Sequence, residues 1–322
     1  MIWYTLFCSM NVQTLQVYSK ENDGELFQVI ESLAMAGKKI AKDINRAGLI
    51  DLLGLTGEVN VQGEEVKKLD EFSNKVFEEE LGKSGAVAGY ASEENEGVVD
   101  YSNSGQYIVS VDPLDGSSNI DANVSVGSIF SVLKRISRDK VSEVDFLQKG
   151  SEQVMAGYFL YGSSTMLVYS TGSGVNGFTK DPDTGDFILS HENIKTPEEG
   201  IVYSINESYS LNWDSKLTKY IELLKGKKYK ARYIGSLVSD FHRNLLYGGI
   251  YVYPADSKNV DGKLRLVYEC NPIAFVVTQA GGRATNGDED ILDIIPTKVH
   301  QRTPFYVGSK GDIELWKEVD QK

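Results

Sequence analysis

Asp112-Pro113-Leu114-Asp115-Gly116-Ser117-Ser118-Asn119 places two carboxylates, a tight turn and a possible anion cradle in eight consecutive positions. Two carboxylates converging beside a turn make a hard oxygen site suited to Mg²⁺ or Mn²⁺. The Gly116, Ser117 and Ser118 amides and hydroxyls that follow suit a phosphate, more so if a helical turn opens near Asn119. A metal site fused to a phosphate cradle points to metal-assisted phosphoryl chemistry.

Other residues enlarge that constellation. Ser92-Glu93-Glu94-Asn95 follows a predicted strand over 86–91, and beside Asp112 and Asp115 its carboxylates complete a cluster that like-charge repulsion would forbid without a cation. Glu269 closes a predicted strand over 262–269 before Cys270-Asn271-Pro272 and a helix, the strand-end placement read for Asp112. Lys225 to Tyr233 is basic in an acidic chain, and Arg232 with Tyr233 offers a guanidinium fork and a phenol to phosphate oxygens.

The elements that must position these groups are legible as pattern. Tyr107 to Val111 reads as a buried strand that delivers Asp112, with Pro113 expected to stop the ladder. Residues 25–44 carry Leu26, Val29, Ile30, Leu33, Ala36 and Ile40 at helical spacing, with Asp23-Gly24 as a candidate cap. Leu53 to Gly63 reads as a mobile glycine-rich loop before an amphipathic helix containing Asp70. Strands over 124–134, 157–169, 177–180 and 187–189 form a meander, while 137–153 reads as an exposed loop. The expected architecture is α+β, mixed sheets layered with helices as α-β-α-β-α.

Composition narrows the class. The 322 residues carry a net charge of −13, which disfavours nucleic-acid binding and requires local cations to collect a phosphorylated substrate. Cys8 and Cys270 are the two cysteines, too few for a disulfide framework or a thiolate zinc site, so a reducing cytoplasm is expected. Met1 to Met10 lacks a basic segment and a small-residue cleavage site, so neither a signal peptide nor a membrane span is read there. Met10 is an alternative start. His191, His242 and His300 have no zinc spacing and read as structural.

The stretch D-P-L-D-G-S-S-N-I-D resembles the signature of the fructose-1,6-bisphosphatase family, within the superfamily that includes the inositol monophosphatases. The likeness recurs in N-V-Q-G-E-E-V-K-K-L-D, A-R-Y-I-G-S, G-K-L-R-L-V-Y-E-C-N-P and the 294–304 stretch, and covers roughly residues 23 to 310. It implies a class I fructose-1,6-bisphosphatase, a cytoplasmic homotetramer of gluconeogenesis that takes fructose 1,6-bisphosphate to fructose 6-phosphate and phosphate.

The resemblance implies roles residue by residue. Glu93, Glu94, Asp112, the Leu114 carbonyl, Asp115 and Glu269 would hold two or three Mg²⁺ ions, with Mn²⁺ a possible substitute. Gly116, Ser117 and Ser118 would orient the 1-phosphate. Asn206, Tyr209, Tyr233 and Tyr253 would meet the 6-phosphate, with Arg232 reaching it from a neighbouring subunit; Lys263 and Arg265 would bind sugar and phosphate oxygens. Glu64, Asp70 and Glu94 are unranked candidates for positioning or deprotonating the water that attacks phosphorus in line. Glu64 stands where most members carry Asp. AMP-regulated members show G-E-L-T where this chain has Gly24-Glu25-Leu26-Phe27, a Lys-Tyr pair where it has Gln106-Tyr107, and arginine where it has Lys134; these departures weigh against AMP binding. The chloroplast members' cysteine-bearing redox insert has no counterpart in 137–153.

The expected organisation is a disordered tail over 1–22, a metal and AMP-type regulatory domain over 23–195, and a sugar-phosphate-binding domain over 196–322. Sedoheptulose-1,7-bisphosphatase, a related sugar or inositol phosphatase, and a non-catalytic sugar-phosphate sensor remain as alternatives.

Overall fold

The computed structural model describes residues 13–49, 54–59, 65–102 and 104–319, with backbone alone for 55–59 and 65–66. The expected tail is shorter than read: residues 15–22 form a helix, α1 (Leu15–Asn22), capped by Thr14, whose Oγ1 accepts from the Val17 N–H at 3.3 Å. Residues 1–12 lie outside the described residues. A 3₁₀ turn, Gly24–Leu26, leads into α2 (Phe27–Ile44). Asp23 does not cap it. Its carboxylate accepts from the Tyr169 and Thr171 hydroxyls at 2.8 and 3.2 Å, tying the entry of α2 to the large sheet.

Part of the expected loop is a strand, β1 (Leu55–Val59), paired antiparallel with β2 (Glu65–Lys67) ahead of α3 (Lys68–Lys83). Then come β3 (Val87–Ser92), β4 (Val99–Asp100), β5 (Tyr107–Asp115), β6 (Val126–Lys134), β7 (Met155–Tyr161), β8 (Thr165–Ser170), β9 (Asn176–Lys180) and β10 (Phe187–His191). They form one eight-stranded sheet in the order β10-β9-β8-β7-β6-β5-β3-β4, with β3 and β5 parallel and the other neighbours antiparallel. The 137–153 stretch is not a loose loop. The buried Asp145 carboxylate accepts from the Ile136, Ser137 and Ser142 N–H groups, and Val141 and Phe146 enter the core.

The second half supplies β11 (Val202–Ser204), α4 (Ser215–Gly226), β12 (Lys230–Ala231), α5 (Leu237–Tyr247), β13 (Ile250–Tyr253), β14 (Leu264–Arg265), α6 (Asn271–Gln279), β15 (Arg283–Thr285), β16 (Arg302–Thr303), β17 (Phe305–Gly308) and α7 (Lys310–Glu318). Its five-stranded sheet runs β12-β11-β13-β17-β15, and β14 pairs with β16 apart from it. The expected strand over 262–269 ends after Arg265; Leu266–Cys270 is one π-helical turn running into α6. The Glu269 carboxylate accepts from the Arg265 N–H at 2.5 Å and so satisfies a donor at the start of this wide turn.

Strand alternation decides how the layers stack. On β6, Phe130 and Val132 face α2 and α3, whereas Ile129 faces α5 and α6. Tyr251 and Val307 cover the far side of α5 and α6, while Ile250, Val252 and Tyr306 meet α4 and α7. The result is helix, sheet, helix, sheet, helix. Each fully buried large apolar side chain contributes about 1.5–3 kcal/mol, so the two faces of β6 hold both helical layers in place.

Candidate active site

The site begins where β5 leaves the ladder. Pro113 does not end the strand as expected; β5 continues to Asp115 through a register irregularity between Asp112 and Asp115 opposite β6. Ser128 on β6 donates its hydroxyl to the Pro113 carbonyl at 2.7 Å and pins the irregularity. Asp112 is buried, and its Oδ1 accepts from the Leu114 N–H at 3.0 Å. Asp115, three residues on, turns to α5: its carboxylate accepts from the Ser236 hydroxyl at 2.6 Å and from the Leu237 and Val238 N–H groups at 3.1 and 2.8 Å. A carboxylate against a helix N-terminus is favoured by the orphan amides and the dipole.

Gly116 follows with φ +76° and ψ 24°, and Ser117–Ala122 turns as a 3₁₀ helix. A Cβ on Gly116 would lie 2.6 Å from the Ser236 Cβ, so the glycine serves both conformation and packing. The cradle of Gly116, Ser117 and Ser118 is thus held directly over Asp115.

Two further segments bring carboxylates. The Glu93 N–H donates to the Val111 carbonyl at 3.2 Å, which extends the β3–β5 pairing one residue and sets Glu93 beside Asp112; the Glu94 N–H donates to Ser92 Oγ at 3.2 Å. Glu269 arrives on the π-helical turn. Arg265 stands among them, its Nη2 2.5 Å from Glu93 Oε1 and its Nη1 3.8 Å from Glu269 Oε2. Behind them His300 Nε2 donates to the Asn95 carbonyl at 3.1 Å and Nδ1 accepts from the Tyr268 hydroxyl at 2.9 Å, bracing the residues next to Glu94 and Glu269.

One cavity of about 550 Å³ collects these groups: Asp70, Glu93, Glu94, Asp112, Leu114, Asp115 and Glu269, the cradle of Gly116, Ser117 and Ser118, and then Tyr233, Tyr253, Lys263 and Arg265. Asp70 reaches it from the first turn of α3, its carboxylate accepting from the Lys67 N–H at 3.0 Å. Not every expected residue lines it. Asn206 is engaged as a local cap, accepting from the Ser208 N–H and hydroxyl. Tyr209 stands at the rim, its ring centroid 5.8 Å from Lys263 Nζ. Arg232 is exposed, its Nη1 donating to the Ala231 carbonyl at 2.8 Å. Glu64 lies outside the described residues. The sequence pattern does not reveal Lys67, Gly235 and Tyr251 in the lining, or Ser236 as the partner of Asp115. Lys67 sits in the K-K-L-D stretch already singled out; the pairing of Ser236 with Asp115 spans 121 residues and leaves no local signal.

Among the described residues no three carboxylate, histidine or cysteine groups stand close enough, as placed, to ligate one ion. The chemistry of the donor set nonetheless fits a hard cation. Burial, reinforced by the charges of Glu93, Glu269 and Asp115, pushes the Asp112 carboxyl well up from its ordinary range, and burial pushes Glu269 up although Arg265 opposes it. Asp115 is also raised by burial, against the hydrogen bonds from Ser236, Val238 and Leu237. One guanidinium among Glu93, Asp112, Asp115 and Glu269 leaves negative charge uncompensated, so these residues suit added divalent cations.

Fold and site together define a metal-dependent phosphatase of the layered sugar-phosphatase kind. Residues 8–192 match the family model described as fructose-1-6-bisphosphatase, N-terminal domain, and residues 196–321 match the corresponding C-terminal domain. The chain belongs to the class 1 fructose-1,6-bisphosphatase family. It is 54% identical over 308 residues to the fructose-1,6-bisphosphatase class 1 of Chloroherpeton thalassium, covering 92% of this chain and 88% of that protein. The enzyme of the same name from Maridesulfovibrio salexigens is 51% identical over 310 residues, covering 92% of each chain. Among solved structures, Leishmania major fructose-1,6-bisphosphatase in its holo form superposes with a TM-score of 0.93 at 41% identity, covering 97% of this chain and 100% of that one. The apo form of that enzyme gives 0.87 at 40% identity with the same coverage.

Proposed function

We propose that this chain hydrolyses the 1-phosphate of fructose 1,6-bisphosphate, giving fructose 6-phosphate and phosphate in gluconeogenesis. The observation that carries this reading is the single cavity that joins the carboxylate cluster and the Gly116 cradle to an end lined by Tyr233, Tyr253 and Lys263. The acidic end suits cations and a phosphate; the tyrosine and lysine end suits a second phosphate on the same sugar.

Glu93, Glu94, Asp112, the Leu114 carbonyl, Asp115 and Glu269 would hold the metal, two or three Mg²⁺ ions with Mn²⁺ as substitute. Bound there, the cations polarise the phosphoryl oxygens and make water a better nucleophile. Ser117, Ser118 and the Gly116 amide orient the 1-phosphate. Asp70 and Glu94 face the same space and position or take a proton from the attacking water. Lys263 and Arg265 bind sugar and phosphate oxygens, and burial pushes the Tyr233 phenol up, so it remains a hydrogen-bond donor at neutral pH. Asn206 and Tyr209 would meet the 6-phosphate beside Tyr233 and Tyr253. Exposed Arg232 serves the site of a neighbouring subunit in a cytoplasmic homotetramer.

The departures at Phe27, Gln106 and Lys134 weigh against AMP binding beside α2. The cavity at the start of α2 is lined by Gly24, Glu25, Phe27, Gln28, Gly85, Ala86, Ser104, Gly105, Gln106 and Tyr107. Those lining residues include no cation for a phosphate, and Glu25 adds negative charge.

The test is phosphate release from fructose 1,6-bisphosphate with and without Mg²⁺, with sedoheptulose 1,7-bisphosphate and inositol 1-phosphate in competition. Metal-dependent release favouring the fructose ester is expected. Tight binding without release would replace the enzyme reading with a sensor.

A further inference from the structure

Helix α5 touches both ends of the cavity. Its N-terminus holds Asp115 through Ser236, Leu237 and Val238. One turn later Asp240, with no exposed surface, accepts from the Ile234 N–H at 3.1 Å (Oδ1) and 2.9 Å (Oδ2), and from the Gly235 N–H at 3.0 Å. Arg243 then completes the hold: its Nη2 lies 2.6 Å from Asp240 Oδ1, 2.8 Å from Ser204 Oγ at the end of β11, and 3.1 Å from the Arg232 carbonyl. Asn244 donates to the same Ser204 oxygen at 3.1 Å. The backbone on both sides of Tyr233 is thereby fixed to the helix that also seats Asp115.

We propose that Asp240 and Arg243 are positioning residues that set the reach of the site from the carboxylate end to the sugar-phosphate end. Neither side chain lines the cavity. They act through Tyr233, whose place they hold from behind, and through the direction in which Arg232 leaves the surface. A charge-assisted contact to a buried carboxylate is stronger and more directional than a neutral one, so the guanidinium is the element hardest to replace. The role rests on the fructose 1,6-bisphosphate reading and deepens it by naming what discriminates a bisphosphate from a monophosphate.

The test compares Arg243→Met with the unaltered protein on fructose 1,6-bisphosphate and on fructose 1-phosphate, with Mg²⁺ present. Expected is a rise in KM for the bisphosphate of about tenfold to a hundredfold, kcat within about threefold, unchanged KM for fructose 1-phosphate, and partial recovery in Arg243→Lys. An equal loss on both substrates, or no loss on either, overturns the proposal. Calorimetric binding of fructose 6-phosphate on the same proteins separates the two readings. An unaltered protein that binds this ester but releases no phosphate sinks the hydrolysis reading alone, and weaker binding by Arg243→Met still supports positioning. If Arg243→Met does not fold, Ser204→Ala removes one of the guanidinium's partners; a two- to threefold KM rise confined to the bisphosphate is expected, and an unchanged KM overturns the proposal.

Discussion

Arg265 places its guanidinium 2.5 Å from the Glu93 carboxylate, inside the group of acids that is also the candidate metal site. The arginine compensates part of the charge that a divalent cation would compensate more fully. Breaking a buried pair of this kind costs about 3–5 kcal/mol. Arg265→Gln should therefore melt well below the unaltered protein without metal, and Mg²⁺ should raise its Tm by more than it raises that of the unaltered protein. Equal Mg²⁺ shifts in the two proteins would show that guanidinium and cation do not share the acids.

The raised Asp112 carboxyl gives a pH signature. A carboxylate held above its unfolded value binds its proton more tightly when folded, so its stabilising contribution is complete below the ordinary value of 3.8 and turns into a penalty as pH climbs through the raised one. Asp112→Asn removes that penalty. Without metal the variant should be the more stable protein at pH 7, and its advantage should vanish toward pH 4, as followed by denaturant melts across pH. Its turnover should fall about 10²-fold or more, the rate equivalent of losing a few kcal/mol of transition-state stabilisation. Parallel stability profiles for the two proteins would remove Asp112 from the titrating cluster.

Asp115 and Glu94 should separate in melting experiments although both face the cavity. Asp115 accepts three hydrogen bonds from the start of α5, and hydrogen bonds to a charged group are worth about 1.5–3 kcal/mol each. Asp115→Ala should lose both phosphate release and several degrees of Tm. Glu94→Gln, at a half-buried position, should lose phosphate release with little change in Tm. Equal Tm losses would mean that the hold on α5 is not carried by Asp115.

Gly116→Ala tests the cradle. The left-handed backbone and the 2.6 Å approach of a new Cβ to Ser236 both oppose the substitution, and the conformational part alone costs about 1–2 kcal/mol. A higher KM together with a lower Tm is expected, and unaltered kinetics would mean the Ser117 and Ser118 amides do not orient substrate.

AMP at millimolar concentration should leave phosphate release unchanged. Inhibition relieved by mutating Gln28 or Gln106 would show that a nucleotide does bind beside α2.

The short-range parts of the site are legible in the amino-acid sequence. Asp112 to Ser118 can be read because a strand, a turn and a left-handed glycine leave compact local marks. The turn carrying Glu269 imitates a strand for a physical reason: Leu264, Leu266 and Tyr268 alternate as in a strand, yet every residue from Leu264 to Cys270 is buried, so alternation there carries no information on which face is covered. Pro113 misleads because the proline rule ignores a pinned irregularity, and the hydroxyl that pins it, Ser128, belongs to the next strand. Ser236 leaves no mark because its partner lies on another segment, and the i,i+3 pair of Asp240 with Arg243 does not disclose its further partners, Ser204 and the backbone of residues 232, 234 and 235. Asn206 comes from family likeness and Arg232 from the basic stretch together with that likeness, and neither is among the residues lining the cavity.

Ile129, Tyr158 and Val168 of the large sheet are covered by α5 and α6, elements made only after residue 236. The strands of the large sheet are all made before residue 192, so the residues that cover this face are absent until more than two-thirds of the protein has been synthesised. The first 195 residues thus present an apolar face that the second half covers, and a chaperone could hold that face in the interval.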